Sequence, residues 1–145
     1  LIIFSFHYSN LMNIEKAFKT LIQIYLVTFI AVFIGAFNES TEVNQINENI
    51  SSGFMGVNEA TEFVFGIIFI IFLIVFFISL YFIYKFKKLG KKLYTICFII
   101  GSLLTLVSGP YAMGAISTFI LELNIAASGA ILVFLYFTPL QKKFN

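Results

Sequence analysis

The sequence predicts an all-α integral membrane protein: a four-transmembrane-helix bundle, up-down-up-down, with both termini cytoplasmic. Three observations carry that expectation. Of the 145 residues, 60% are hydrophobic and 11% are charged, and the mean hydropathy is +0.99. A soluble domain carries about 25% charged residues, so this surface could not be wetted as a globule. Four runs approach the ~20 residues that a ~30 Å hydrocarbon layer requires at ~1.5 Å per residue. The lysines, finally, gather beside alternate ends of those runs. A water-soluble enzyme, a disordered chain and a nucleic-acid-binding domain are excluded on these grounds.

The spans are 20–37, 63–84, 93–109 and 114–137, and the first three hold no charged residue. The third is closed by Gly109-Pro110. The first loses little to a signal-peptide reading, because 18 residues exceed a usual apolar core and Ile34-Gly35-Ala36 is a poor cleavage site. Residues 1–19 form an N-terminal segment of doubtful standing. Met12-Asn13-Ile14-Glu15-Lys16 reads as a start, which sets residues 1–11, His7 included, outside the fold reasoning. The alternative is an interfacial helix, since Leu11, Ile14, Phe18 and Leu21 share one helical face.

Orientation follows the basic residues. Lys16 and Lys19 precede span one, Lys85, Lys87, Lys88, Lys91 and Lys92 fill the inner loop 85–92, and Lys142 and Lys143 follow span four. These are all nine basic residues, and four spans put them on one side. Glu39, Glu42, Glu48, Glu59 and Glu62 occupy the outer loop 38–62. Bacterial inner membrane is the expected location, with Lys-side cytoplasmic. Tyr81, Tyr84, Tyr94 and Tyr136 fall at the same ends, where a ring rests in the interface with its hydroxyl wet. The five loop lysines are expected to contact anionic lipid headgroups, each worth ~1 kcal/mol near the surface. Their topogenic role alone also accounts for them.

In the outer loop, Val43, Ile46, Ile50 and Phe54 follow a helical period that Ser51-Ser52-Gly53 would end. This predicts a short amphipathic helix, read either as a partner surface or as a connector resting on lipid. Asn58 would cap the second span ahead of Glu59 and Glu62.

The chemistry-bearing inventory is thin. One His, one Cys (Cys97) and no Asp or Arg leave no His/Cys metal cage, no cysteine pair and no nucleophile–base pair without His7. No metal, no cofactor and no enzymatic activity are expected. Intramembrane polar groups are the remaining candidates: Glu122, Thr105 and Asn124. Glu122 lies ~12 Å below the outer boundary, and Thr105 in span three matches that depth. Its neighbours on one face, Ala115, Thr118, Ala126 and Gly129, predict that Glu122 points at a helix contact. Two readings stand: a proton- or cation-binding carboxylate, or interhelical glue with Thr105. Ser117, Asn124 and Ser128 form the opposite face, either central in the bundle or a homo-oligomer seam. Gly101, Thr105 and Gly109 repeat small residues every four positions, as at close helix contacts.

Gly129-Ala130-Ile131-Leu132 leading to Tyr136-Phe137-Thr138-Pro139-Leu140, behind a hairpin with Gly109-Pro110, resembles the tail of a family of small uncharacterised bacterial four-span membrane proteins. The resemblance covers the last third. It implies a four-helix inner-membrane fold and transfers no site residues. Small multidrug exporters of four spans place their essential Glu in the first span, whereas Glu122 is in the last. From the residues, a non-enzymatic accessory, immunity-like or lipid-associated protein is expected. The alternative is a small oligomeric proton- or cation-coupled transporter using Glu122.

Overall fold

A computed structural model describes the backbone of residues 2–53, 59–107 and 111–144, and the side chains of 13–49, 64, 66–105 and 111–144. Among the described residues every regular element is helical: α1 (Ile2–Phe37), α2 (Thr41–Gly53), α3 (Glu59–Tyr84), α4 (Lys88–Val107), α5 (Ala115–Phe137) and a closing 3₁₀ segment, Pro139–Phe144. Three helical stretches are long and apolar enough to cross a membrane, Asn13–Phe37, Gly66–Tyr84 and Ala115–Phe137. Helix α4 is not among them. Its first turns carry Lys88, Lys91 and Lys92, and the charge-free remainder to Val107 rises only ~22 Å.

Two element boundaries differ from the sequence expectation. The N-terminal segment and the first span are one continuous helix, because nothing between Ile2 and Phe37 breaks it: no Pro, and no Gly before Gly35. The inner loop contracts from 85–92 to three residues. Helix α3 ends in a Schellman arrangement in which the Lys87 amide donates to Phe82 O at 2.8 Å and the Phe86 amide to Ile83 O at 3.0 Å. The left-handed position that glycine usually fills is taken by Phe86, at φ 55°. Its ring stacks near Phe18 (5.9 Å) and Phe144 (5.4 Å), so packing offsets the backbone strain. Lys88, Lys91 and Lys92 thus belong to α4 rather than to a loop.

Helix α1 lies antiparallel along α5, with Phe18 facing Phe134 at one end and Gly35 facing Ser117 at the other. Helix α3 lies antiparallel along α4, from Phe72 against Gly101 to Phe82 against Gly90. The two pairs meet through Tyr25–Phe76 (5.8 Å) and Tyr25–Tyr94 (6.4 Å), both edge-on. The buried core occupies the half of the molecule nearest the lysines. Phe18 and Ile22 of α1, Leu80 and Ile83 of α3, Tyr94 of α4, and Ile131 and Leu135 of α5 are all within 2% of full burial, with Leu140 and Phe144 closing the end. Edge-on aromatic pairs are an efficient way to knit helices where lipid removes the hydrophobic drive between them.

The far half is clad in exposed apolar side chains, including Ile30, Ile34, Ile68, Ile71, Leu103 and Phe119. That belt fits acyl chains rather than water. The bulky run Ile67–Ile78 of α3 lies mostly outward, with Phe76 inward.

Gly90 is required by the close approach of α4 to the end of α3, since a Cβ there would lie 2.6 Å from Ile83 N and Phe82 C. Gly90→Ala should therefore lower stability by ~2 kcal/mol, read as an earlier unfolding midpoint in detergent. Gly66→Ala, with nothing within 4 Å of the new methyl, should be neutral or gain from helix propensity.

Candidate functional site

The polar groups inside the apolar helices converge where α1, α4 and α5 meet. On α5, the buried positions Ser117, Asn124, Ala127, Ser128, Ile131 and Leu135 repeat at helical spacing, so one stripe of the helix faces α1. Asn124 sits in the middle of that stripe. Its Nδ2 donates to Tyr25 O at 3.1 Å and to Thr28 Oγ1 at 2.9 Å. The Thr28 hydroxyl in turn donates to the Ile24 and Tyr25 carbonyls, 3.0 Å each. Four residues along α5, Ser128 turns its own hydroxyl to Ile125 O at 2.7 Å, while its carbonyl accepts from Tyr94 Oη at 3.3 Å. Ser79 on α3 bonds back to Phe76 O at 2.7 Å.

The result is a closed set. Each of these hydroxyls, and the Asn124 amide, ends on the protein's own carbonyls or hydroxyls, as apolar surroundings require. It contains no acid or base, so its chemistry is helix cohesion. The Ser117/Asn124/Ser128 face is the inner face of α5, covered by α1 and Tyr94. Within the single chain, that face fits the central reading.

Glu122 corrects a second expectation. It lies on the exposed side of α5 and, among the described residues, has no hydrogen bond and no ion pair. The small neighbours Ala115, Thr118 and Ala126 are exposed with it, and the Thr118 hydroxyl is turned to Gly114 O at 3.1 Å. Thr105 is also exposed and donates to Ser102 O at 2.7 Å. The matched depth brought no pairing, because Asn124, two residues from Glu122 and so on the far side of the helix, won the contact with α1. Gly101 meets the Phe72 ring edge at an ordinary 3.6 Å rather than a helix backbone, and Gly109 lies outside the described residues. Close approach occurs instead at Gly35, where a Cβ would stand 3.0 Å from Ser117 Oγ.

At the lysine-bearing end, a collar ties the C-terminal segment to α1. Glu15 pairs with Lys19 at 3.1 Å and with Lys143. Lys19 and Lys143 each stand 5.4 Å over the Phe86 ring. Pairs this exposed contribute at most ~1 kcal/mol each; the aromatic cluster of Phe18, Phe86 and Phe144 beneath them holds the collar. Of the five lysines expected at lipid headgroups, Lys85, Lys87, Lys88 and Lys92 are exposed. Lys91 is half-buried, 4.1 Å over the Tyr136 ring, whose hydroxyl meets Thr95 Oγ1 at 2.8 Å. Tyr94, expected at the interface, is 1% exposed and part of the core.

On the opposite side, α2 is the short helix that the outer-loop periodicity implied, opened by the Ser40 hydroxyl accepting from the Val43 amide at 3.3 Å. Its attachment is polar. Asn47 grips the backbone of Ala112 twice, Nδ2 to O at 3.0 Å and N to Oδ1 at 2.8 Å. Glu39 Oε2 accepts from the Gly114 amide at 3.0 Å, setting a carboxylate at the positive end of α5. Ile46 is 48% exposed. Phe54, Asn58 and the side chains of His7, Ile50, Glu59 and Glu62 lie outside the described residues. Sequence reasoning missed Gly35, Asn47 and Glu39. A short polar side chain in an otherwise helical loop signals that it has a partner without saying where.

No protein-family model matches the chain, and no curated protein or solved structure shows significant similarity to it.

Removing the Asn124 amide should cost ~1–2 kcal/mol, since it takes the interhelical donor from Tyr25 O and Thr28 Oγ1. In a double-mutant cycle, Asn124→Ala with Thr28→Ala should couple by ~0.6 kcal/mol in detergent unfolding. A cycle of Glu122→Ala with Thr105→Ala should couple by nothing measurable.

Proposed function

We propose that the chain is a four-span helical protein of a bacterial inner membrane, with α4 as its short third crossing and the lysine-bearing ends in the cytoplasm. Its role is that of a non-enzymatic accessory, immunity-like or lipid-associated protein, as a member of the small four-span family that its last third resembles. The antiparallel order of contacts around α1, α3, α4 and α5 supports the up-down arrangement. The observation that carries the role is the closed polar set around Asn124. With Tyr25, Thr28, Tyr94 and Ser128 bonded inward, the helices hold each other and, among the described residues, present no row of polar stations for a solute to step along.

Glu122 fits an accessory. A carboxyl ~12 Å inside the apolar layer, with no hydrogen bond or ion pair among the described residues, calls for a partner beyond them. The second reading, a proton- or cation-coupled transporter, draws on the same exposure: a path using Glu122 would run along the outside of α5, between copies.

Proton flux into liposomes, for the wild type and Glu122→Gln, separates the two. The accessory reading expects identical, background flux from both; flux that the substitution abolishes while helicity persists establishes transport. For the topology, an impermeant thiol reagent on whole cells should label Cys at position 48 and reach Cys at position 142 only after permeabilisation. The reverse pattern would turn the orientation over.

A further inference from the structure

Between α1 and α5, at the lysine-bearing end, a groove of ≈ 560 Å³ opens to the side of the molecule, within the range of small-molecule sites. It exists because two alanines, Ala17 on α1 and Ala130 on α5, stand where larger side chains would fill the space. Its lining changes character along α1. Asn13, Lys16 and Thr20 stand towards one end, level with Phe134 of α5, and Ile24 with Ala130 towards the other, over ~16 Å of helix rise. The polar end lies level with the collar and the apolar end runs into the span. The three lysines around this end are not equivalent. Lys19 and Lys143 are both engaged by Glu15, whereas Lys16 is exposed and forms no ion pair among the described residues. The groove therefore has one uncommitted cation at its mouth, hydrogen-bonding groups from Asn13 and Thr20 beside it, and a hydrocarbon-lined floor.

We propose that this groove is a binding site for one anionic phospholipid, its phosphate at Lys16, Asn13 and Thr20 and one acyl chain running from Ala17 and Phe134 past Ala130 to Ile24. The proposal rests on the membrane reading above, and adds to it a defined site and headgroup charge. The ammonium of Lys16 supplies the charge preference, the amide and hydroxyl orient the phosphate, and the alanines give the chain room. A single phosphate-bearing lipid fits this gradient as neither a soluble anion nor a plain hydrocarbon would. The groove's lining does not include the five lysines of 85–92.

The test is a lipid titration of the purified full chain in mild detergent, with bound lipids counted by native mass spectrometry. The probes are dioleoyl phosphatidylglycerol and dioleoyl phosphatidylcholine. The wild type should take up one phosphatidylglycerol about fivefold more tightly than phosphatidylcholine, the preference expected of one near-surface lysine. Lys16→Gln should erase that preference and leave phosphatidylcholine uptake as it was, while Lys142→Gln should change neither. Ala130→Trp should remove the first-bound lipid of either kind at unchanged helicity; Ala17→Leu, which fills the groove from α1, serves if that variant does not fold. Equal uptake of the two lipids by the wild type, unaltered uptake by both filled variants, or loss of the preference in Lys142→Gln as in Lys16→Gln would each overturn the proposal. So would full competition by glycerol phosphate, which would make the site one for a free phosphate. Failure of the membrane reading is separately visible, as release of the chain from membranes by alkaline carbonate.

Discussion

The structure depends on one constraint: polar groups placed in an apolar layer must be satisfied by the protein itself. Asn124 meets it by reaching across to Tyr25 O and Thr28 Oγ1, and that reach decides which face of α5 turns inward. Once α5 is rotated so, Ser117 abuts Gly35, Ser128 O comes under Tyr94 Oη, and Ile131 and Leu135 enter the core. The same rotation carries Glu122 to the outside. Two polar residues at positions 122 and 124 cannot both face α1, because two residues subtend ~200° of a helix. The neutral amide, with donors and an acceptor to place among carbonyls, is the cheaper of the two to bury.

The lysine-bearing end is where the helices are locked. Phe86 holds a backbone conformation that most side chains avoid, and does so because its ring completes the cluster with Phe18 and Phe144. Gly90 lets α4 begin immediately after that turn. Glu15 joins α1 to the C-terminal segment above the same rings. Charges and aromatics thus work at one level: the rings fill the space and the ion pairs seat their edges. The groove beside Lys16 is left open next to this lock, since small residues on both helices fall short of each other there.

Much of the molecule was legible in its sequence. The apolar runs of α1, α3 and α5 stand out by length and scarcity of charge, and α2 by the spacing of Val43 and Ile46 ahead of Gly53. The limits of α1 and α4 were harder to read: charge marks where lipid should end, whereas a helix ends where its backbone is capped. Lys16 and Lys19 therefore sit inside α1, and Lys88, Lys91 and Lys92 inside α4. The polar candidates were legible as residues and misplaced as contacts. Thr105 and Glu122 share a depth, but depth is one coordinate, and the contact also needs rotation about each helix axis.

By itself, the sequence determined the apolar solvent and the gathering of charge beside the apolar runs, because those depend on composition summed along the chain. Only the tertiary structure decided which face of each helix turns inward. That choice hangs on a few directed bonds, Asn124 to α1, Tyr94 to α5 and Asn47 to Ala112, whose partners lie 34 to 99 residues away. A sum over composition has no angle in it, and a hydrogen bond does.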